Sequence, residues 1–268
     1  MKAKATTTVL SGALLVVGTL LAGCATADST APGWTAQPGP AGTGTTAPAA
    51  ADSSSATASD TATPAATSSG SPQAVATASA WKTFSDPGKT VSFDLPQDWI
   101  AQSVAPEEGT LPGALKIEVK KPDGTFMAAL RTGLPPSSAE CTDAAKRPYT
   151  VISSVPVELS AAGGEGTIPP RVVFRVIQGY RYFGSYGITN LVGGADGQAC
   201  ELRNIVRGPA GKGDYSFGDL VAVKAFSPDE KVAPAQAFDT LGEAARYTGE
   251  SPEFANVQRM LMSLKIKN

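Results

Sequence analysis

From about residue 81 onward, apolar and polar positions alternate in short runs broken by turn residues. Val91, Phe93 and Leu95 alternate with Ser92 and Asp94, and Leu115, Ile117 and Val119 repeat the pattern. A period of two is the pattern of a half-buried strand. On this basis strands are expected over 81–84, 91–95, 115–119, 126–130, 149–159, 171–178, 180–188, 200–206 and 220–226. Ser85-Asp86-Pro87-Gly88 and Lys121-Pro122-Asp123-Gly124-Thr125 read as turns, the second closing a hairpin. The period then lengthens. A short helix is expected over 138–146, capped by Ser137 or Ser138 with Glu140 in its first turn, and another over 233–246. Ser251-Pro252-Glu253 has the composition of a helix start, with a capping hydroxyl, proline at the first helical position and an acid facing the dipole. Behind it Phe254, Val257, Leu261 and Leu264 share one face, flanked by Met260. Many strands followed by C-terminal helices predict an α+β fold, an antiparallel sheet with the helices packed on it.

The first 80 residues follow no such pattern. Lys2 and Lys4 precede an apolar run from Val9 to Leu21. At roughly 13 residues it is too short for a permanent span, which needs about 20, and it fits the apolar part of a cleaved export signal. From Ala25 to Ala80 the chain is almost entirely Ala, Thr, Ser, Pro and Gly. Such a segment cannot bury enough apolar surface to offset its ordering entropy, so a disordered tether is expected. As a flexible coil of about 56 residues it would reach roughly 40 Å. Its Ser and Thr beside Pro are compatible with O-glycosylation. The expected organisation is a signal peptide over 1–23, a tether over 24–80 and a single domain over 81–268.

Charge narrows the partners. Of 22 basic and 24 acidic residues, Lys2, Lys4, Asp28, Asp52 and Asp60 lie before residue 81, so the folded part carries 20 and 21. A near-neutral domain offers no electrostatic footprint for nucleic acid or for a polybasic grip on anionic lipid. The chain has no histidine, which removes the commonest general acid/base and the commonest metal ligand. No metal-ligand cluster, calcium loop or cofactor motif is present, and no cofactor is expected.

Leu21-Ala22-Gly23-Cys24 resembles the lipobox of bacterial lipoproteins, with Leu at −3, small residues at −2 and −1 and the obligatory cysteine. That resemblance implies a diacylglyceryl thioether on Cys24, cleavage before it, and anchoring at the extracytoplasmic face of the cell membrane. Two acyl chains hold stably where one holds reversibly. With Cys24 so assigned, Cys141 and Cys200 remain of three cysteines. In an oxidising compartment the expectation is one disulfide between them. Two buried thiols or a redox site are the alternatives, although a Cys-x-x-Cys spacing is missing.

Val91-Ser92-Phe93-Asp94-Leu95-Pro96-Gln97-Asp98-Trp99 is similar to a segment of small exported proteins with a Mog1/PsbP-like fold, and the ending Met262-Ser263-Leu264-Lys265-Ile266 resembles their closing segment. The resemblance implies binding or assembly rather than catalysis, and it carries no catalytic residue over. The chemical motifs are incomplete. Ser185 lacks the first glycine of a nucleophile elbow. Ser79-Ala80-Trp81-Lys82 has no partner motif. Gly208-Pro209-Ala210-Gly211-Lys212-Gly213 has the wrong spacing for a phosphate loop.

One surface stands out. On a strand, Tyr180, Tyr182 and Tyr186 would share a face beside Arg181 and could stack on a glycan or partner. Alternatively, these aromatics fill space against the last helix. Trp81 and Trp99 likewise suit a cleft or the core. The expectation is therefore a lipid-anchored, non-catalytic binding or assembly domain, whose partner is an envelope protein, a glycan or a lipophilic ligand. A carboxylate-based envelope hydrolase and a purely structural surface protein are the alternatives.

Overall fold

The computed structural model describes residues 75–136, 141–194, 196–230 and 236–267. Cys24, the apolar N-terminal run and most of the expected tether lie outside the described residues. So do Ser137, Ser138 and Glu140 of the expected short helix, and 233–235 of the next. All described residues fall within Thr67–Asn268, the second of two units into which the chain divides.

The strands are β1 (Trp81–Ser85), β2 (Val91–Pro96), β3 (Ile100–Val104), β4 (Lys116–Lys120), β5 (Phe126–Leu134), β6 (Arg147–Pro156), β7 (Thr167–Gln178) and β8 (Tyr182–Leu191). They are followed by β9 (Gln198–Ala199), β10 (Glu201–Arg203), β11 (Asp214–Gly218), β12 (Ala222–Lys224) and β13 (Gln236–Phe238). Helices α1 (Leu241–Glu250) and α2 (Pro252–Met262) come next, and β14 (Lys265–Ile266) closes the described chain. The main sheet has the order β3-β4-β5-β11-β8-β7-β6-β9, with β13 also paired to β8. A small sheet β1-β2-β14 joins the two ends of the domain, and β10-β12 forms a separate ribbon. Each of these pairings is antiparallel. The fold is the expected α+β arrangement, a mostly antiparallel sheet with two C-terminal helices packed on it.

Period-two alternation in β2 and β4 puts Val91, Phe93, Leu95, Ile117 and Val119 into the core, beneath Phe254, Val257, Met260 and Leu261 of α2. The small sheet closes on the main one where the Phe93 and Phe217 rings meet at 4.9 Å. The start of α2 is the expected one. Ser251 Oγ accepts the Phe254 amide, Pro252 opens the helix and Glu253 lies in its first turn. Trp99 is a core residue. Trp81 is half-buried, its ring under the Arg259 guanidinium at 4.0 Å and its Nε1–H donated to Ala78 O. The Ala78 amide in turn donates to Asn256 on α2, so the folded unit begins a few residues before the expected boundary at 81.

Other expectations need correction. The helix expected over 233–246 runs from Leu241 to Glu250 instead, and 236–238 form a strand on β8. Thr240 and Glu243 set this start with a reciprocal capping box, a Thr-x-x-Glu signature legible in the sequence. Within the described residues the helix expected over 138–146 reduces to a 3₁₀ turn at Asp143–Ala145. The strands expected over 200–206 and 220–226 shrink to β10 and β12. In addition, the fully buried β11 lies between β5 and β8. Its Asp-Tyr-Ser-Phe-Gly sequence alternates in period two, with Tyr215 and Phe217 facing the core, but it is only five residues long and lies between glycine-rich segments.

Candidate functional site

The expected aromatic surface is not a single face. Chain reversal at 179–181 separates Tyr180 from the strand that carries the other two tyrosines. Tyr180 is 53% exposed and stands edge-on to Phe183, 5.2 Å between ring centroids, on the side of the sheet away from the helices. Tyr182 is half-buried on the helix side, opposite Phe238. Tyr186 is 2% exposed, its ring 6.4 Å from Phe254 and its hydroxyl donated to Met127 O. Burial pushes its ionisation well above the ordinary tyrosine range. Tyr186 is thus a core residue and cannot stack on a partner. Arg181 pairs with Asp239 at 2.6 Å. Strand alternation is the physical reason. Tyr182 and Tyr186 do share a face, but it is the one that α1 and α2 cover.

Cys141 and Cys200 form the expected disulfide, Cα atoms 5.7 Å apart, tying the segment before β6 to the start of β10. Beside it is a recess of about 260 Å³ that brings together Glu165, Glu201, Arg203 and Arg207. Glu201 accepts a hydrogen bond from Arg203. One carboxylate of this pair is therefore already engaged by a guanidinium.

Under the β10-β12 ribbon a polar network is sealed into the sheet. Arg175 donates to the carbonyls of Leu191 and Arg203 and to Asn204 Oδ1. Asn204 Nδ2 donates to Ser185 Oγ, and Ser185 donates to Asp219 Oδ1. The same carboxylate oxygen accepts the amides of Tyr186 and Leu220, while Oδ2 is buried with no hydrogen-bond partner among the described residues. Desolvation pushes Asp219 up to about 7, against the opposing pull of its hydrogen bonds, and pushes the Arg175 guanidinium down to about 10. Ser185 is closed off inside this network, only 1% exposed. A Ser–Asp contact with no solvent access and no imidazole has no means of activating a nucleophile for a substrate.

Another concavity lies elsewhere in the folded unit, between two turns. Two four-residue turns face each other there. Leu111-Pro112-Gly113-Ala114 is closed by Ala114 N–H donating to Leu111 O, with Gly113 at φ 80°. Pro209-Ala210-Gly211-Lys212 is closed by Lys212 N–H donating to Pro209 O, with Gly211 at φ 79°. Glycine at the third position with positive φ makes both type II turns. The two turns pack together, because a Cβ on Gly213 would lie 2.9 Å from Leu111 Cδ1. The turns and β14 enclose a cleft of about 320 Å³. Its apolar lining includes Val91, Leu111, Pro112, Leu115, Tyr215 and Ile266, and the charged residues that line it are Lys212 and Lys267. The Gly208–Gly213 segment, set aside as a phosphate loop, forms one of its walls. In the sequence, the Pro-Gly and Gly-x-Gly pairs signalled two turns, but nothing in their spacing signalled that the turns meet. Among the described residues, no group of three or more His, Cys, Asp or Glu side chains could hold a metal ion.

No family model, no curated protein and no solved structure matches the chain.

Proposed function

We propose that this protein is a lipid-anchored, non-catalytic binding domain at the extracytoplasmic face of the cell membrane, held there through Cys24, with the cleft between the 111–114 and 209–213 turns as its ligand site. The observation that carries the binding part is the lining of that cleft. It combines apolar side chains with turn backbone, the Thr90 and Thr132 side chains and two lysines, with no carboxylate, the mixed composition of a pocket that holds a small molecule. Its volume lies at the lower end of the ~300–1,000 Å³ range of small-molecule sites. The lipobox at Leu21-Ala22-Gly23-Cys24 supports the anchor, and the resemblance of 91–99 to Mog1/PsbP-like exported proteins agrees with a binding role.

Two measurements test this. Intact mass of protein extracted from membranes, compared with a Cys24→Ala variant, should give a diacylated chain beginning at Cys24. An unlipidated product released into the medium would end the anchoring claim. For the cleft, ¹H–¹⁵N spectra of the Cys24→Ala chain are recorded with a set of small aromatic and aliphatic fragments, neutral and charged. Binding should shift the amides of Gly113, Gly133, Gly211 and Gly213 together. If no fragment moves them, the cleft is not a ligand site, and a structural surface protein becomes the better reading.

A further inference from the structure

We propose that the occupant of the cleft is a small soluble molecule with an apolar body and an anionic group, a carboxylate or a phosphate, whose charge sits at Lys212 and Lys267. This inference rests on the reading of the cleft as a ligand site. Three observations converge on the charge. First, both charged residues lining the cleft are lysines, in a folded unit whose charge otherwise nearly balances. Second, both lysines are exposed and neither ammonium has an ion-pair partner among the described residues, as is also true of Lys82, Lys89 and Lys265, so both are available to a ligand. Third, both walls are type II turns with glycine at the third position. In that geometry the turn closes through the fourth residue's N–H, and the glycine N–H is not used by the turn. Gly113 and Gly211 line the cleft together with Lys212, so turn backbone with unused N–H groups stands at the same rim as the lysines. Backbone N–H groups exposed at turns and lysine ammoniums are standard partners of carboxylate and phosphate oxygens.

The apolar body follows from the floor. Leu111, Leu115, Val91, Tyr215 and Ile266 give a ring or short aliphatic chain a surface to cover, which a bare inorganic anion cannot use. The size argues against a long acyl chain. A volume near 320 Å³ encloses a molecule of roughly one ring plus a headgroup, close to the ~300 Å³ floor for such sites.

The experiment compares benzyl phosphate, benzyl alcohol, benzylamine and inorganic phosphate as probes of the Cys24→Ala chain. Amide shifts of Gly113, Gly133, Gly211 and Gly213 are followed in low and high salt. Benzyl phosphate should bind tightest, benzylamine weakest, and inorganic phosphate weakly for want of an apolar body. Because the lysines are exposed, Lys212→Gln should weaken benzyl phosphate by about two- to fivefold and leave benzyl alcohol unchanged. Added salt should reduce the preference in parallel. Equal binding of the three benzyl compounds, or a Lys212→Gln loss shared by benzyl alcohol, would overturn the charge assignment and leave the cleft a neutral pocket. Phosphatidylglycerol vesicles that shift these amides when benzyl phosphate does not would also overturn it, in favour of a lipid surface. Silence from every probe would refute the ligand site itself.

Discussion

At the scale of single residues, the most consequential group is Asp219. The residue is buried, its carboxylate sealed from solvent and joined through Ser185 and Asn204 to a buried arginine rather than to a direct cationic partner. With its ionisation near 7 in the folded protein against 3.8 for the unperturbed group, the native state keeps a proton that the unfolded chain loses from about pH 4 upward. An acid raised on folding contributes stability that declines as pH rises between those two values and levels off above 7. The upper bound is on the order of 4 kcal/mol, from about 1.4 kcal/mol per unit. Asp219→Asn keeps an acceptor for Ser185 and the two amides and removes the titration. Urea unfolding of the variant should therefore show a flatter stability profile between pH 4 and 7 and a gain at pH 7.5. Parallel profiles for the two proteins would mean that Asp219 is not the titrating group. The tyrosines make a related point. Tyr180 and Tyr186 are six positions apart in one aromatic run, and yet one is solvent-facing and the other sealed, because a bend at 179–181 resets which side of the sheet each occupies.

At the scale of elements, the disulfide and the helix starts are where the sequence was most legible. Cys141–Cys200 closes a loop of 59 residues, for which chain entropy alone gives roughly 4 kcal/mol, less any strain. It also ties down the short β9 and β10, which pair with β6 and β12 and bury Ala199 and Leu202 in the second core cluster. Replacing both cysteines with serine should lower the thermal midpoint by about 2–4 °C for each kcal/mol lost in a domain of this size. An unchanged midpoint would show that the bridge adds nothing to stability. The start of α1 was misplaced because the apolar residues before it, Ala237 and Phe238, suit a helix and a strand equally well. The cap at Thr240 and the free edge of β8 decide between them. Thr240→Ala should cost about 1 kcal/mol, measured by the same denaturation.

At the scale of the whole molecule, α2 is the keystone. Its Phe254, Val257, Met260 and Leu261 are buried in one core cluster that includes Val91, Phe93 and Leu95 of the small sheet together with Phe174, Ile188 and Phe217 of the main sheet. A shared core couples the two sheets, so they should unfold in one transition. Leu261→Ala should lower stability by about 2–5 kcal/mol while the far-ultraviolet signal of the sheets and the fluorescence of Trp99 still fall together. Separate midpoints would show that the sheets are independent. The same closure makes the cleft, because β14 pairs with β2 at Ile266 and Val91, both of which line it.

Periodicity in the sequence determined the fold class, the half-buried strands β2 and β4 and the apolar face of α2; the residues Ser251-Pro252-Glu253 set its capped start, and the cysteine count with the lipobox resemblance pointed to the Cys141–Cys200 pair. Each of these depends on neighbours in the chain or on a count of reactive groups. Tertiary structure alone decided that Asp-Tyr-Ser-Phe-Gly is a central strand, that Tyr186 is core, and that turns almost 100 residues apart face each other across a cleft. Those outcomes depend on long-range packing. The two apolar positions of β11, Tyr215 and Phe217, are too short a pattern to stand out, and its place between β5 and β8 is set by long-range pairing. A side chain's exposure depends on which face a distant helix covers. A binding cleft exists only where separate loops converge, and no local pattern encodes that convergence.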